Sequence, residues 1–300
     1  GDDLKINENI NLEEKYNISC FQSIKEAASF EPVFSIVANP TSLHIKTAQE
    51  LIDHNIPVLM EKPISNNDVG LDGLIQTAKS RNIPVMVGYM MRFHPCAIKL
   101  KKYLENKVLG RIYSINVTVN SYMPTWHQYE NYNEFYAGMK SMGGGVVLTE
   151  IHEIDLLNWY FGAPRKIYAI GGKLSQLNFD VEDTVSILME QKTKNGFFPI
   201  TISMSFVQKS PLRKILILGE YGKIEWDISK SELLFDNYEH DIHEKNNYPE
   251  FERNQMFIEQ LNHVIECIKQ KSKSFISLSN VIGGHRTALA IKDSLKKKSI

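Results

Sequence analysis

The chain has 300 residues, 43% hydrophobic and 23% charged, with 34 Lys and Arg against 35 Asp and Glu. That is enough for two domains, or one large α/β unit, around a sizeable core. A net charge of -1 lacks the clustered basic footprint of a nucleic-acid binder. Cys20, Cys96 and Cys267 lie far apart with no CxxC or zinc spacing, which argues against a disulfide framework or a structural metal and fits a reducing cytoplasm. No apolar run approaches the ~20 residues of a membrane span, and no secretory signal opens the chain. The basic run at 296–298 reads as a solvated tail.

The first thirty residues are polar, with a short helical pattern at 23–28. Residues 33–38 form an apolar run ending in Asn39-Pro40, a strand followed by a turn. Thr41 or Ser42 stands where a helix over 43–54 needs its N-cap. A strand at 56–60, a helix over 68–80 and a strand at 85–89 follow. Short apolar strands alternating with helices predict βαβ units and a parallel sheet with helices on both faces. The second strand stops abruptly at Glu61-Lys62-Pro63, an acid and a base locked ahead of a proline.

Near Pro95 the pattern changes. After a helix over 97–106, the stretch RIYSINVTVNSY alternates, with Tyr113, Ile115, Val117 and Val119 on one face and Ser114, Asn116 and Thr118 on the other. One packed face and one wet face is the habit of antiparallel strands. Similar runs fall at 166–171, 184–190, 198–206, 214–218 and 223–226. A helix over 252–269 puts Phe257, Leu261, Val264 and Ile268 on one stripe, and a last helix spans about 281–296. The division expected is a parallel α/β half over 1–94 and a mostly antiparallel α+β half over 95–300.

In doubly wound sheets, ligands sit beyond the carboxyl ends of the strands. Asn39-Pro40, Glu61-Lys62-Pro63 and Met90-Met91-Arg92 occupy three such ends and point to one crevice. The other candidate is GGGVVLTEIHEIDLLNWYFG, residues 143–162. Three glycines permit close backbone approach or a tight turn before a helix. On one continuous helix Leu148, His152, Asp155 and Trp159 share a face, so Asp155 is placed to orient or charge-stabilise the imidazole. Glu150 lies about 200° around the helix from His152 and meets it only if the helix begins later. His152 reads equally as a helix histidine packed beside Trp159. His44 reads as a cofactor contact or a capping neighbour. Arg92 reads as a phosphate or carboxylate ligand, or as the partner of an acid such as Glu61.

Taken together, these residues resemble the Gfo/Idh/MocA family of NAD(P)-dependent oxidoreductases, from about residue 18 to the C-terminus. The passage VANPTSLHIKTAQELIDHNIPVLMEKPIS is similar to that family's strand–turn–helix–strand unit ending in EKP. VGYMMRFHP is similar to the segment that closes its nucleotide domain, and the GGG…HEID…W.FG block to its glycine and histidine-helix signature. VEDTVSILME and ILGEYGKIEWD resemble strands of its substrate domain. The resemblance implies a Rossmann-like domain for NAD or NADP and an α+β domain with a largely antiparallel open sheet that shapes a sugar or polyol site. It also implies homo-oligomers, dimers or tetramers. By its motif Lys62 would hold the substrate hydroxyl near the cofactor, with Asn39, Pro40, His44, Glu61, Pro63 and Arg92 beside the dinucleotide and His152 as acid/base.

Many family dehydrogenases carry an aspartate four residues before the histidine. Here that residue is Leu148, leaving Asp155 as the acidic alternative and keeping open a regulatory, non-catalytic reading of the fold. The glycine-rich strand-to-helix turn that seats a pyrophosphate on a helix N-terminus is also missing from the 300 residues. The expectation is an incomplete N-terminus, a parallel sheet split where its first strand should lie, and poor dinucleotide binding by this chain alone. Between the halves, SYMPTWHQYENYNEFYAG is rich in aromatics. Tyr122, Trp126, His127 and Tyr136 are the candidates for stacking on a sugar ring, against the alternative of a loop packed over the sheet. The segment resembles one in relatives from surface-polysaccharide and sialic-acid-like sugar pathways, which suggests a sugar or nucleotide-sugar substrate.

Overall fold

The computed structural model describes residues 12–126, 131–132, 134–194 and 196–297. The polar N-terminal stretch contributes two short helices, α1 (Leu12–Tyr16) and α2 (Ile24–Ala28), the second capped by Ser23, whose hydroxyl accepts from the Glu26 N–H at 3.2 Å. The apolar runs that follow become three parallel strands in the order β1 (Ser35–Val37), β2 (Val58–Met60) and β3 (Val85–Val87). Every residue of β2 and β3 is buried, which is why these strands read as unbroken apolar runs rather than alternating ones. The connections are α3 (His44–Asp53) and α4 (Leu71–Ser80). Neither Thr41 nor Ser42 caps α3 with its side chain; they lie in a 3-10 turn, Thr41–Leu43, that leads into it.

The expected split of this sheet does not occur. The three strands pair in unbroken register, Ser35 to Val37 with Val58 to Met60 and these with Val85 to Val87. The far edge of β3 is closed by a bridge between Met86 and Ser277. Among the described residues the free edge is therefore that of β1, and a further strand would join there without dividing the sheet.

The second sheet is larger. After α5 (Pro95–Glu105), β4 (Ile112–Tyr122) enters the middle of an eight-stranded sheet. A break follows, containing α6 (Val146–Thr149) and α7 (His152–Phe161). Then come β5 (Lys166–Gly172), β6 (Thr184–Thr193), β7 (Gly196–Ser205), β8 (Val207–Gly219), β9 (Gly222–Asp227), β10 (Glu232–Asn237) and β11 (Ile242–Asn247). The spatial order is β11-β10-β9-β8-β4-β7-β6-β5, antiparallel throughout except for the β4–β7 pair. Ile115, Val117 and Val119 face inward as their alternation predicts. Tyr113 does not: the register against β8 shifts between Ile112 and Ser114, and the bulge leaves Tyr113 52% exposed.

Two long helices close the chain, α8 (Arg253–Gln270) and α9 (Leu278–Lys296). The buried stripe of α8 is Met256, Gln260, Val264 and Cys267, rotated by about one residue from the expected one. Helix α9 begins three positions before the expected 281 and packs on α7 and β5, with the Ala169 N–H donating to Ser294 Oγ at 3.0 Å. Because residues 276–277 pair with β3, the C-terminal segment binds both sheets together. Among the described residues no helix is long and apolar enough to cross a membrane, and no group of three or more His, Cys, Asp or Glu could hold a metal ion. Cys20, Cys96 and Cys267 are free thiols.

Candidate functional site

The first wall of the site is built from strand exits. Beyond β2 the chain runs into Glu61, Lys62 and a cis peptide to Pro63. His44 joins this exit to the one beyond β1. Its Nδ1 lies 2.8 Å from the Pro63 carbonyl and its Nε2 2.8 Å from the Asn39 carbonyl. Both ring nitrogens are thus used on backbone and the side chain is buried, so His44 braces the two loops against each other. Asn39 donates to Thr47 Oγ1 at 2.8 Å, leaving its Oδ1 buried and unpartnered, while Pro40 beside it is exposed.

The second wall is the glycine turn and the helices after it. Gly143 has φ +87°, and a Cβ there would lie 2.8 Å from Asn66 Cβ and 3.0 Å from Thr41 Cβ. Only a glycine lets this turn lie against the loops leaving β1 and β2. Gly145, at φ +111°, is pressed on the carboxylate of Glu182, which Lys292 of α9 meets at 3.2 Å. The triple glycine is therefore a junction between the two halves. It also starts the helix late: α6 ends at Thr149, and His152 is the first residue of a separate helix, α7.

That break decides the geometry. The Lys62 ammonium donates to the Thr149 carbonyl at 2.7 Å, across 87 residues of sequence, and so stands at the entrance to α7. Burial pulls the Lys62 pKa down, against the opposing charges of Glu150 and Glu61. Burial also pushes His152 well below its ordinary value, aided by the positive charges of Lys62, Arg213 and Arg253. The two groups expected to meet are electrostatically in touch, and His152 is neutral at physiological pH. Its ring lies edge-on to Tyr89, 6.2 Å between centroids, and its Nδ1 is buried without a partner. Trp159, the expected packing neighbour of His152, lies instead 6.1 Å from Phe275 and over Arg92. The Glu61 carboxyl is raised by burial, offset in part by Lys62.

Two expectations change. Asp155 does not serve His152: its two carboxylate oxygens accept from Arg92 Nε at 2.8 Å and Nη2 at 2.7 Å. Arg92 in turn meets neither Glu61 nor open solvent. Both side chains are 1% exposed, and the third Arg92 bond, at 2.7 Å, goes to the Phe275 carbonyl. A guanidinium fork matches one carboxylate bidentately, so the pair is a buried strut tying the β3 exit to α7 and the C-terminal segment. Leu148, four residues before His152, is fully buried.

Arg213 of β8 was not among the expected site residues. It chelates Glu153 through both ends of its fork and stands 3.7 Å from Glu150. The signal was the unbalanced run of acids in TEIHEID, which required a cation from elsewhere in the fold. Of the aromatic candidates, Tyr136 faces the acids: burial, then the charges of Glu61 and Glu150, push its hydroxyl up to about 12. Trp126 packs edge-on against Phe206 at 5.2 Å, and Tyr122 lies under Lys209 at 5.9 Å. His127 lies outside the described residues.

A dinucleotide needs a cradle at each end. Glu61 and Lys62, half-buried at the β2 exit, and the buried His152 within electrostatic reach of Lys62 are the groups that could meet the reactive, nicotinamide end. Among the described residues no strand runs into a glycine-rich turn, so a pyrophosphate seat is not supplied by them.

Comparison with known proteins bears on the fold and the family. The chain is 24% identical over 196 residues to 2,7-anhydro-N-acetylneuraminate hydratase of Mediterraneibacter gnavus, a match covering 64% of this chain and 50% of that protein. The matched region spans between about a third and two thirds of the length of the curated relatives it resembles. Among solved structures, aldose-aldose oxidoreductase from Caulobacter crescentus complexed with glycerol superposes with a TM-score of 0.80 at 18% identity, over 96% of this chain and 86% of that one. The WlbA dehydrogenase from Bordetella pertussis in complex with NADH and UDP-GlcNAcA gives 0.79 at 19% identity, over 96% and 84%. At those identities the likeness is one of fold. The profile described as an oxidoreductase family, NAD-binding Rossmann fold, matches residues 4–89, and that of the GFO/IDH/MocA C-terminal domain matches 97–225. With a Rossmann half and an open-sheet half of one lineage in chain order, this chain belongs to the Gfo/Idh/MocA family of oxidoreductases.

Proposed function

We propose that the protein is an NAD(P)-dependent oxidoreductase acting on a hydroxyl or carbonyl of a sugar, polyol or nucleotide sugar, with residues 1–94 serving the dinucleotide and 95–300 the substrate. The observation that carries this reading is the Lys62 ammonium anchored on Thr149 at the mouth of the helix that begins with His152. The nicotinamide, when bound, gives or takes the hydride. The chain's own residues manage the oxygen and its proton. An ammonium has three N–H donors, and the Thr149 carbonyl uses one, leaving two for a substrate oxygen. There the cation stabilises developing alkoxide. His152, neutral through burial, takes the hydroxyl proton in the oxidative direction. Its Nε2 is the nitrogen for this, because Nδ1 is sealed in the interior. Tyr136, protonated to high pH, offers a hydrogen bond at the rim beside Glu61 and Glu150.

The relatives named for an anhydro-sialic acid and crystallised with a nucleotide sugar support a carbohydrate substrate of that size. Self-association through the outer face of the large sheet is part of the same reading, since Tyr168, Ile170, Leu188 and Phe197 are exposed there. So is a cytoplasmic location, with free thiols in a reducing compartment.

A regulatory reading rests on one observation: among the described residues the imidazole has no carboxylate partner, because Leu148 is in the core and Asp155 is engaged by Arg92. Nicotinamide absorbance followed across a panel of sugars, nucleotide sugars and anhydro-sialic acids decides between the two. Turnover that disappears in Lys62→Ala supports the enzyme. Tight binding of a sugar with no turnover of any member of the panel transfers the protein to the regulatory class.

A further inference from the structure

A cavity of about 510 Å³ lies well away from Lys62 and His152, between the end of α5, the start of β4, the last turn of α7 and the β6–β7 hairpin. Its floor is apolar, made by Leu109, Tyr160, Phe161 and Phe198. Leu109 and Phe198 are buried, and Phe161 meets Phe198 edge-on at 5.5 Å, so the floor is rigid. The rim is cationic. Lys101 is already engaged, 3.1 Å from Glu105 and stacked over Trp159 at 4.9 Å. Lys107, Arg111 and Lys194 differ: all three are exposed and line the cavity, and among the described residues no carboxylate pairs with their side chains, although Glu105 shares the lining and the Glu220 carboxylate accepts from the Arg111 backbone N–H at 3.1 Å. Lys107 and Arg111 lie in the α5–β4 connection and Lys194 in the β6–β7 turn, so two segments distant in sequence bring the charges together. Arg111 reaches across towards the hairpin, where a Cβ on Gly196 would lie 4.0 Å from its guanidinium. Some exposed cations elsewhere on this surface are neutralised locally, as Arg286 is by Asp68 and Asp72 and Lys245 is by Glu232.

We infer that this cavity is a second binding site, independent of the catalytic cleft, for a small amphipathic anion with a flat or aliphatic body ending in a carboxylate, sulfonate or phosphate. Its volume suits one drug-sized ligand, and an apolar lining with a few convergent polar groups is the usual composition of such sites. The apolar body would lie on Phe161 and Phe198, and the anionic end would reach Arg111, whose fork matches an oxyanion bidentately, with Lys107 and Lys194 as flanking charges. A neutral ligand would leave the three cations uncompensated; a simple inorganic anion would leave the aromatic floor wet.

The test uses anilinonaphthalene sulfonate, a fluorescent probe of this chemistry, with its uncharged parent phenylnaphthylamine as control. The whole chain is titrated alongside the surface variants Arg111→Glu and Lys107→Glu, with circular dichroism to confirm folding. The expected result is saturable one-to-one binding of the sulfonate, weakened at least about tenfold in each variant by loss of a charge-assisted contact, and weaker binding of the neutral parent. Absence of saturable binding overturns the proposal. So does sulfonate binding unchanged in both variants, which would place the probe on the open sheet face or in the catalytic cleft.

Discussion

The two sheets of this protein use their surfaces in opposite ways. The parallel sheet buries every residue of β2 and β3, leaving Ile36 of the edge strand β1 exposed, and its polar groups stand at the strand exits, Asn39 beyond β1 and Glu61 and Lys62 beyond β2. The eight-stranded sheet buries alternate residues and leaves a whole face open, with Ile170 76% exposed. A sheet covered on both sides can present chemistry only at its ends; a sheet covered on one side can present a face. The site arises where the ends of the first meet the inner edge of the second, with Arg213 of β8 supplying the counter-charge to Glu153 at the start of α7.

The strongest way to break that division is at the exits. In protein that turns over, Lys62→Ala is expected to lower kcat/KM by about 10²–10³, as for loss of one oxyanion donor, and His152→Asn by about 10²–10⁴. The fold should remain intact by circular dichroism. Unchanged turnover in either variant removes that residue from the proposed chemistry.

Next in size is the strut beneath the site. Asp155→Asn leaves the Arg92 guanidinium, 1% exposed, without its counter-ion. A loss of about 3–5 kcal/mol in denaturant unfolding is expected. A loss below about 1 kcal/mol would mean that the pair is not sealed from water as described.

The open face gives a sharper contrast. Under the proposed self-association, Leu188→Asp should shift the sedimentation of the protein towards monomer, while the unfolding free energy of the monomer changes by no more than about 0.5 kcal/mol. Leu59→Asp, the same substitution in a strand buried on both faces, should prevent folding. Equal effects of the two would abolish the distinction between the sheets.

The smallest effect is the pH profile. His152 must be neutral and Lys62 protonated, and both are shifted downward by burial. Activity should therefore persist below pH 6.5, the ordinary histidine value, and begin to fall below pH 10.5, the ordinary lysine value. An acid limb at or above the ordinary histidine value would contradict the burial of the imidazole.

Much of this was legible in the sequence because it depends on neighbours in the chain. Unbroken apolar runs ending in Asn39-Pro40 and Lys62-Pro63 specified two parallel strands and where their exits lie. Strict alternation in INVTV specified a strand with one wet face, since side chains on a strand alternate by geometry. Motif order indicated the family. The aromatic loop was legible only as composition: Tyr136 and Trp126 look alike in sequence, yet one faces the acids and the other packs on Phe206.

Pairings across long stretches of chain were not legible. Asp155 seemed the natural partner of His152, three residues on along α7, but packing sets Arg92, 63 residues distant, against its carboxylate. The bulge at Tyr113 and the closing of β3 by Ser277 have the same origin. Local sequence determines which backbone shapes and which faces are available, because those depend on nearby sterics and on how many apolar side chains must be hidden. Which charge neutralises which is decided only when the sheets and helices are packed. A buried ion seeks the nearest matching fork or carboxylate in space, wherever the chain happens to supply it.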